Sequence, residues 1–163
     1  MPHVMPRDPI VRNALSIGVA TGVYAVSFGV LSVAAGFSVV QTCVMSLVCF
    51  TGASQLTFAS VIGAGGGVAG ALAPALLLAG RNALYAISLK GVLGGTVSKR
   101  ALRAQVVVDE TTAMAHAQPT LAAKRRAFDL TAVCLFSLWA LVTIHRLSAD
   151  KTFISDIAQT QNA

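Results

Sequence analysis

Polar and apolar positions in this chain fall into long blocks rather than mixing along its length. No charged residue occurs from Ala14 to Val48 or from Cys43 to Gly80. An apolar stretch of about 20 residues crosses the ~30 Å hydrocarbon core as a helix. The pattern predicts a first span over Asn13 to Gly36, then a second block over Val39 to Ile62. A third span is expected from Val68 to Leu89 and a last apolar block from Leu130 to Ile144. That last block has about 15 residues, marginal for spanning. The second block carries Thr51-Gly52-Ala53-Ser54-Gln55 near its middle, and Gly63-Ala64-Gly65-Gly66-Gly67 closes it. The expected fold class is therefore all-α: an integral membrane helical bundle with three to four hydrophobic segments, one of them broken or re-entrant. The chain divides into an N-terminal segment 1–12, a transmembrane domain 13–147 with a polar loop at about 90–128, and a polar tail 148–163.

The first span carries a finer pattern. Gly18, Gly22, Ala25, Gly29, Ser32 and Gly36 recur at spacings of 4, 3, 4, 3 and 4, one seam of a helix. In lipid, small residues on a seam let another backbone approach closely. The seam predicts helix-on-helix packing and carries no information about a solute. Pro74 inside the third span removes a backbone donor and loosens the preceding turn.

Composition agrees with the blocks: 55% of the 163 residues are hydrophobic and 11% charged. Soluble domains carry roughly 25% charged residues. The net charge of +6 is set by position. Arg7 and Arg12 precede the first block, while Lys90, Lys99, Arg100, Arg103, Lys124, Arg125 and Arg126 sit between the third and last blocks. Basic residues in short loops mark the cytoplasmic side. If every block crossed once from a cytoplasmic N-terminus, this cluster would fall outside. If the second block instead enters and returns on the outer side, bent at Gly52 to Gln55, the N-terminus and the basic loop share the cytoplasm. The charges favour the second arrangement, in the inner (plasma) membrane.

Other classes fit poorly. No aromatic-interleaved basic surface points to nucleic acid. Cys43, Cys49 and Cys134 lie in apolar segments without disulfide or zinc spacing, and no metal or other cofactor is implied. Gly65-Gly66-Gly67 lacks the lysine and hydroxyl of a phosphate-binding loop. His3, His116 and His145 show no catalytic spacing, so an enzyme is not expected. The apolar run after Arg12 exceeds a signal-peptide core and reads as a retained span.

Two polar groups at membrane depth could carry a function. Gly52, Ala53, Ser54 and Gln55 form a break that can present a helix end to a zwitterionic solute; the alternative is a kink held by Ser54 and Gln55. Arg81, with Tyr85 and Ser88 on the same face, can meet a substrate carboxylate or pair with Asp109 or Glu110, and Gln55 is another candidate neighbour. Asp109-Glu110-Thr111-Thr112 is expected to open a short helix with acidic residues in its first turn. Asp109 and Glu110 are either solvated or available for proton coupling.

At these residues the chain resembles the AzlC family, the large subunit of branched-chain amino acid exporters. Gly52-Ala53-Ser54-Gln55 is similar to that family's Gly-Ala-Ser-Gln motif. Arg81-Asn82-Ala83-Leu84-Tyr85-Ala86-Ile87-Ser88-Leu89 resembles its Asn-Leu-Arg-His-x-x-Tyr-x-x-Ser-Leu segment, with Ala79 in place of the asparagine and Asn82 in place of the histidine. Asp109-Glu110-Thr111 resembles its Asp-Glu-Thr signature. Order and spacing agree from about Arg12 to Trp139, after which Leu141 to Arg146 departs into the polar tail. The chain looks like the first two thirds of such a permease, a truncated product. The resemblance implies a small AzlD-type partner subunit and branched-chain amino acids as substrate; the short chain also leaves room for a homo-oligomer. The rival reading is a membrane packing or scaffold subunit, or an inactive truncated permease, without its own solute pathway.

Overall fold

The computed structural model describes residues 8–160, with side chains described through residue 145. Arg7 of the expected N-terminal segment lies outside them, as do the side chains of Arg146, Asp150, Lys151 and Asp156. The described chain is helical: α1 (Pro9–Ala34), α2 (Val39–Val48), α3 (Ala53–Gly63), α4 (Val68–Ser88), α5 (Val97–Gln105), α6 (Asp109–His116) and α7 (Leu121–Thr160). Three stretches are long and apolar enough to span a membrane: Pro9–Ala34, Val68–Ser88 and Leu121–His145.

Helix α1 begins where Asp8 accepts from the Ile10 N–H at 2.9 Å and Pro9 supplies a preset first turn. Its seam faces α7. A Cβ on Gly18 would stand 2.9 Å from Leu138 Cδ1 and 3.2 Å from Cys134 Cβ. One on Gly22 would meet Val142 at 3.7 Å and Leu138 at 3.9 Å. Contacts advance in the same direction on both helices, so α1 and α7 run parallel. Gly18, Gly22, Ala25, Gly29 and Ser32 are buried as the spacing predicts. Gly36 is a correction: α1 has ended, and Gly36 turns the chain at φ +84°, a conformation that favours glycine.

The second block is broken. Ser38 and Gln41 close a reciprocal capping box on α2, at 3.2 and 2.8 Å. Helix α2 then stops at Val48, and α3 starts behind Gly52. Phe37 at the start of α2 stacks on Phe58 of α3, with ring centroids 6.0 Å apart. A Cβ on Gly63, at the far end of α3, would touch Ala35 Cβ at 3.4 Å. Both outer ends of the pair therefore sit beside the end of α1, and α2–α3 is a re-entrant hairpin. Ten residues at 1.5 Å per residue put its tip roughly 15 Å below that end, near half the hydrocarbon thickness.

The opposite end of the bundle is basic and more ordered than a polar loop. Arg126 pairs with Asp8 at 2.6 Å, which sets the start of α7 beside the start of α1. Arg103 on α5 grips Asp129 through both oxygens, at 2.8 and 2.6 Å, and donates to Gly94 O at 2.9 Å. That bidentate bond raises the Arg103 pKa, with the Asp129 charge adding to it against partial desolvation. Leu89, Val92, Leu93, Val107, Ala115 and Phe128 form a buried cluster there. The expected loop at about 90–128 thus contains two helices, α6 packed against α7 and α5 tied to it through Arg103 and Asp129. Thr111 Oγ1 donates to Val106 O at 2.9 Å and accepts from Val108 N at 3.1 Å, fixing the turn into α6.

Helix α7 is the other correction. The sequence reading ended it near Ile144 and began it near Leu130, because charges flank that block. The helix instead runs from Leu121, where Thr120 Oγ1 accepts from Ala123 N at 3.3 Å, through Thr160. Lys124, Arg125 and Arg126 are good helix formers, while Ala127 and Phe128 on the same turn are fully buried. The charges leave the helix intact and the span is of full length.

Candidate functional site

The hairpin tip is where the candidate residues meet. A cavity of about 120 Å³ is lined by Thr51, Gly52 and Ala53 of the tip, Thr21 of α1, Arg81 of α4, Asp109 and Glu110 of α6, and Leu135 and Trp139 of α7, with Phe50 and Val108. Thr21 lies roughly 20 Å from the Ala34 end of α1 and Arg81 roughly 20 Å from the Val68 end of α4, counted by helical rise. Residues from five separate parts of the chain reach one depth because the hairpin turns back there.

The tip treats its two helix ends unequally. At the carboxyl end of α2, the Gln55 side-chain amide donates to Met45 O and the Gln105 amide to Val48 O. At the amino end of α3, Gly52 takes φ +52° and offers no side chain, and no other side chain caps the helix. The N–H groups of Ala53, Ser54 and Gln55 cannot bond within the helix. The negative helix end is therefore covered, and the positive end faces the cavity.

Opposite this end stands an ion pair. Arg81 Nη2 lies 2.7 Å from Asp109 Oδ2, with both side chains about two-fifths exposed. Arg81 Nε and Asp109 Oδ1 are buried and have no hydrogen-bond partner among the described residues. Tyr85 lies within electrostatic reach of both charges without lining the cavity. Ser88 turns away, donating to Tyr85 O at 2.8 Å and meeting His116 Nε2 at 3.1 Å. The acidic first turn of α6 forms as expected, and its Asp109 is held by Arg81 rather than solvated in a loop.

The sequence candidates thus divide. Gly52, Ala53, Arg81, Asp109 and Glu110 share the cavity, and Tyr85 flanks it. Ser54 and Gln55 do not: they line a second cavity of about 350 Å³ with Met45, Cys49, Phe58, Leu72, Ala75, Leu76 and Ala79, and only Thr51 borders both. Gln55 serves the hairpin and not Arg81. Gly52, one residue ahead of the helix, sets the phase that turns Ser54 and Gln55 toward α4. Sequence reasoning also passed over Thr21 and Trp139. A signal was present for Trp139, since a tryptophan inside an apolar block rather than at its ends departs from the aromatic belt. Among the described residues, no group of three or more histidine, cysteine or acidic side chains could hold a metal.

Three helices of span length around a broken hairpin whose open end meets an ion pair make this a membrane protein. The family described as AzlC protein matches residues 16–146, and the chain belongs to that family, which is associated with transport. No curated protein and no solved structure matched the chain.

Proposed function

We propose that this chain is the permease subunit of a branched-chain amino acid exporter, a multi-pass protein of the inner (plasma) membrane that works with a small AzlD-type subunit. The observation that carries the reading is the cavity at the hairpin tip. An uncapped helix amino end lies on one side, and the Arg81–Asp109 pair with Glu110 lines the other. A zwitterion complements both: its carboxylate meets Gly52, Ala53 and Arg81, and its ammonium meets Glu110. The neighbouring 350 Å³ cavity, which shares Thr51 with the first and is lined mostly by aliphatic and aromatic side chains, suits a branched aliphatic side chain. Tyr85 steadies Asp109.

In this reading Asp109 alternates between Arg81 and a proton. Protonation frees the guanidinium for the substrate carboxylate, and loss of the proton restores the ion pair and releases the substrate. Glu110, next to it in the cavity lining, is the second coupling group. The basic end is cytoplasmic by the distribution of charge, so Lys99→Cys and Lys124→Cys should resist an impermeant thiol reagent in intact cells. Strong labelling of position 99 would reverse the assigned orientation.

The test of function is efflux of leucine, valine and isoleucine from cells carrying the chain with its small subunit. Arg81→Lys keeps the charge and loses the planar fork. Losing a charge-assisted contact should lower efflux about 10- to 100-fold with membrane abundance unchanged. Wild-type efflux would remove Arg81 from the pathway. The second reading, a packing subunit without a solute path, rests on the same Arg81–Asp109 pair acting as a clasp between α4 and α6. Parallel loss of abundance and efflux in Arg81→Lys would favour it.

A further inference from the structure

Trp139 is the largest fully buried side chain in the described residues, with 2% of its surface exposed. Its ring is fixed from two sides. Phe28 of α1 stacks on it at 5.9 Å between centroids and 29° between planes, and Phe50 at the hairpin tip meets it edge-on at 6.2 Å and 89°. The indole N–H, however, finds no acceptor among the described residues. A buried tryptophan ordinarily finds a partner for this group, and a buried donor left unpaired costs free energy. Packing alone explains the ring and leaves the N–H unexplained.

Trp139 also lines the cavity in front of the uncapped α3 amino end. Two residue sets of independent origin with unpaired donors therefore border one cavity: the hairpin tip with its backbone N–H groups and Trp139 of α7. Neither has an acceptor among the described residues, and neither carries a net charge that a carboxylate of the protein has neutralised. Arg81, by contrast, is already paired with Asp109.

We infer that Trp139 is a substrate-binding residue whose indole N–H, together with the amino end of α3, receives the carboxylate of the transported solute. The inference rests on the exporter reading and deepens it. The neutral donors hold the carboxylate first, before Arg81 is freed from Asp109. Selection at this point is for a carboxylate and against an amine of the same carbon skeleton. Phe28 and Phe50 supply the rigidity that aims the donor.

Trp139 is the only tryptophan in the sequence, so a proton–nitrogen correlation spectrum of the full chain contains one indole resonance. The chain is nitrogen-labelled and reconstituted in nanodiscs with its unlabelled small subunit. L-leucine, isocaproate (leucine without its amino group) and isoamylamine (leucine without its carboxylate) are the probes. Leucine and isocaproate should move the indole resonance downfield, and isoamylamine should leave it in place. Trp139→Phe keeps the ring between Phe28 and Phe50 and should raise the half-saturating leucine concentration about 10-fold or more. A resonance that stays fixed while radiolabelled leucine binds would overturn the inference and leave the exporter reading standing. So would equal shifts with isoamylamine and isocaproate. Absence of leucine binding by either method would remove the exporter reading itself, and this inference with it. If Trp139→Phe fails to fold, the resonance alone decides.

Discussion

The two sides of the bundle are built by opposite rules. Between α1 and α7, glycine and alanine bring backbones close enough that a single added carbon at Gly18 would already touch Leu138. The α2–α3 hairpin and α4 border two cavities, the smaller shared with α1, α6 and α7, and α4 buries only Ala71 and Ala75. Buried polar atoms differ too. Along α1 and α7 they include hydroxyls: Ser32 Oγ and Thr131 Oγ1 have no partner among the described residues, and Thr143 faces Ser46 of α2 at 3.4 Å. Toward the tip, Arg81 Nε, Asp109 Oδ1, Gln55 Oε1 and Trp139 Nε1 all lack partners. One side is a scaffold held by contact, with small hydroxyls among its unpaired atoms; the other keeps charged, amide and indole groups beside open volume. Charged groups at membrane depth persist where they line a cavity or serve function, and Arg81 and Asp109 line one.

Three substitutions test this contrast, in descending order of effect. Gly18→Leu places a branched side chain where 2.9 Å is available. It should destabilise the detergent-solubilised protein by about 3 kcal/mol or more, read as a lower unfolding temperature and loss of the monodisperse species. An unchanged melt would mean that the α1–α7 seam is not closed. Gly52→Ala is a conformational change rather than a packing one. A Cβ there meets nothing within 4 Å, yet φ is +52°, so the expected cost is about 1–2 kcal/mol, and efflux should fall further than stability. Gly80→Leu is the counterpart of Gly18→Leu on α4. Nothing lies within 4 Å of its Cβ position, and the isolated chain should stay within about 0.5 kcal/mol of wild type. If stability holds while assembly with the small subunit fails, that face of α4 belongs to the partner.

Legibility in the sequence followed the range of the interaction. The seam could be read because five of its positions depend only on the period of one helix; Gly36 failed because helix ends are set by local turns. The break in the second block was visible in Gly52, since a glycine flanked by polar residues at membrane depth has few other uses. Which cavity Ser54 and Gln55 would face was not visible. That depends on the residue at which α3 starts, and a shift of one position rotates a side chain by about 100°. The Arg81–Asp109 pair was among the expected pairings because intramembrane charges need partners and few were on offer. Trp139 could not be placed, since its meaning lies in its distance from Phe28, Phe50 and the hairpin tip, all remote in sequence. The full length of α7 was not legible in its apolar block, because Lys124 to Arg126 stand outside that block although none of the three breaks a helix.

The parallel pairing of α1 with α7 also sets a schedule for biogenesis. Gly18 and Leu138 touch, but about 120 positions of chain separate them. At about 5–20 residues per second, a ribosome needs roughly ten seconds to deliver the second after the first. Through that interval α1 stands in the bilayer with its small-residue face toward lipid. The hairpin and α4 emerge before its main partner does. Any pause in translation before Leu121 prolongs this state, and a second nascent copy offers the same face at the same moment. The seam that holds the finished bundle together is thus also the surface most open to mispairing while the chain is being made.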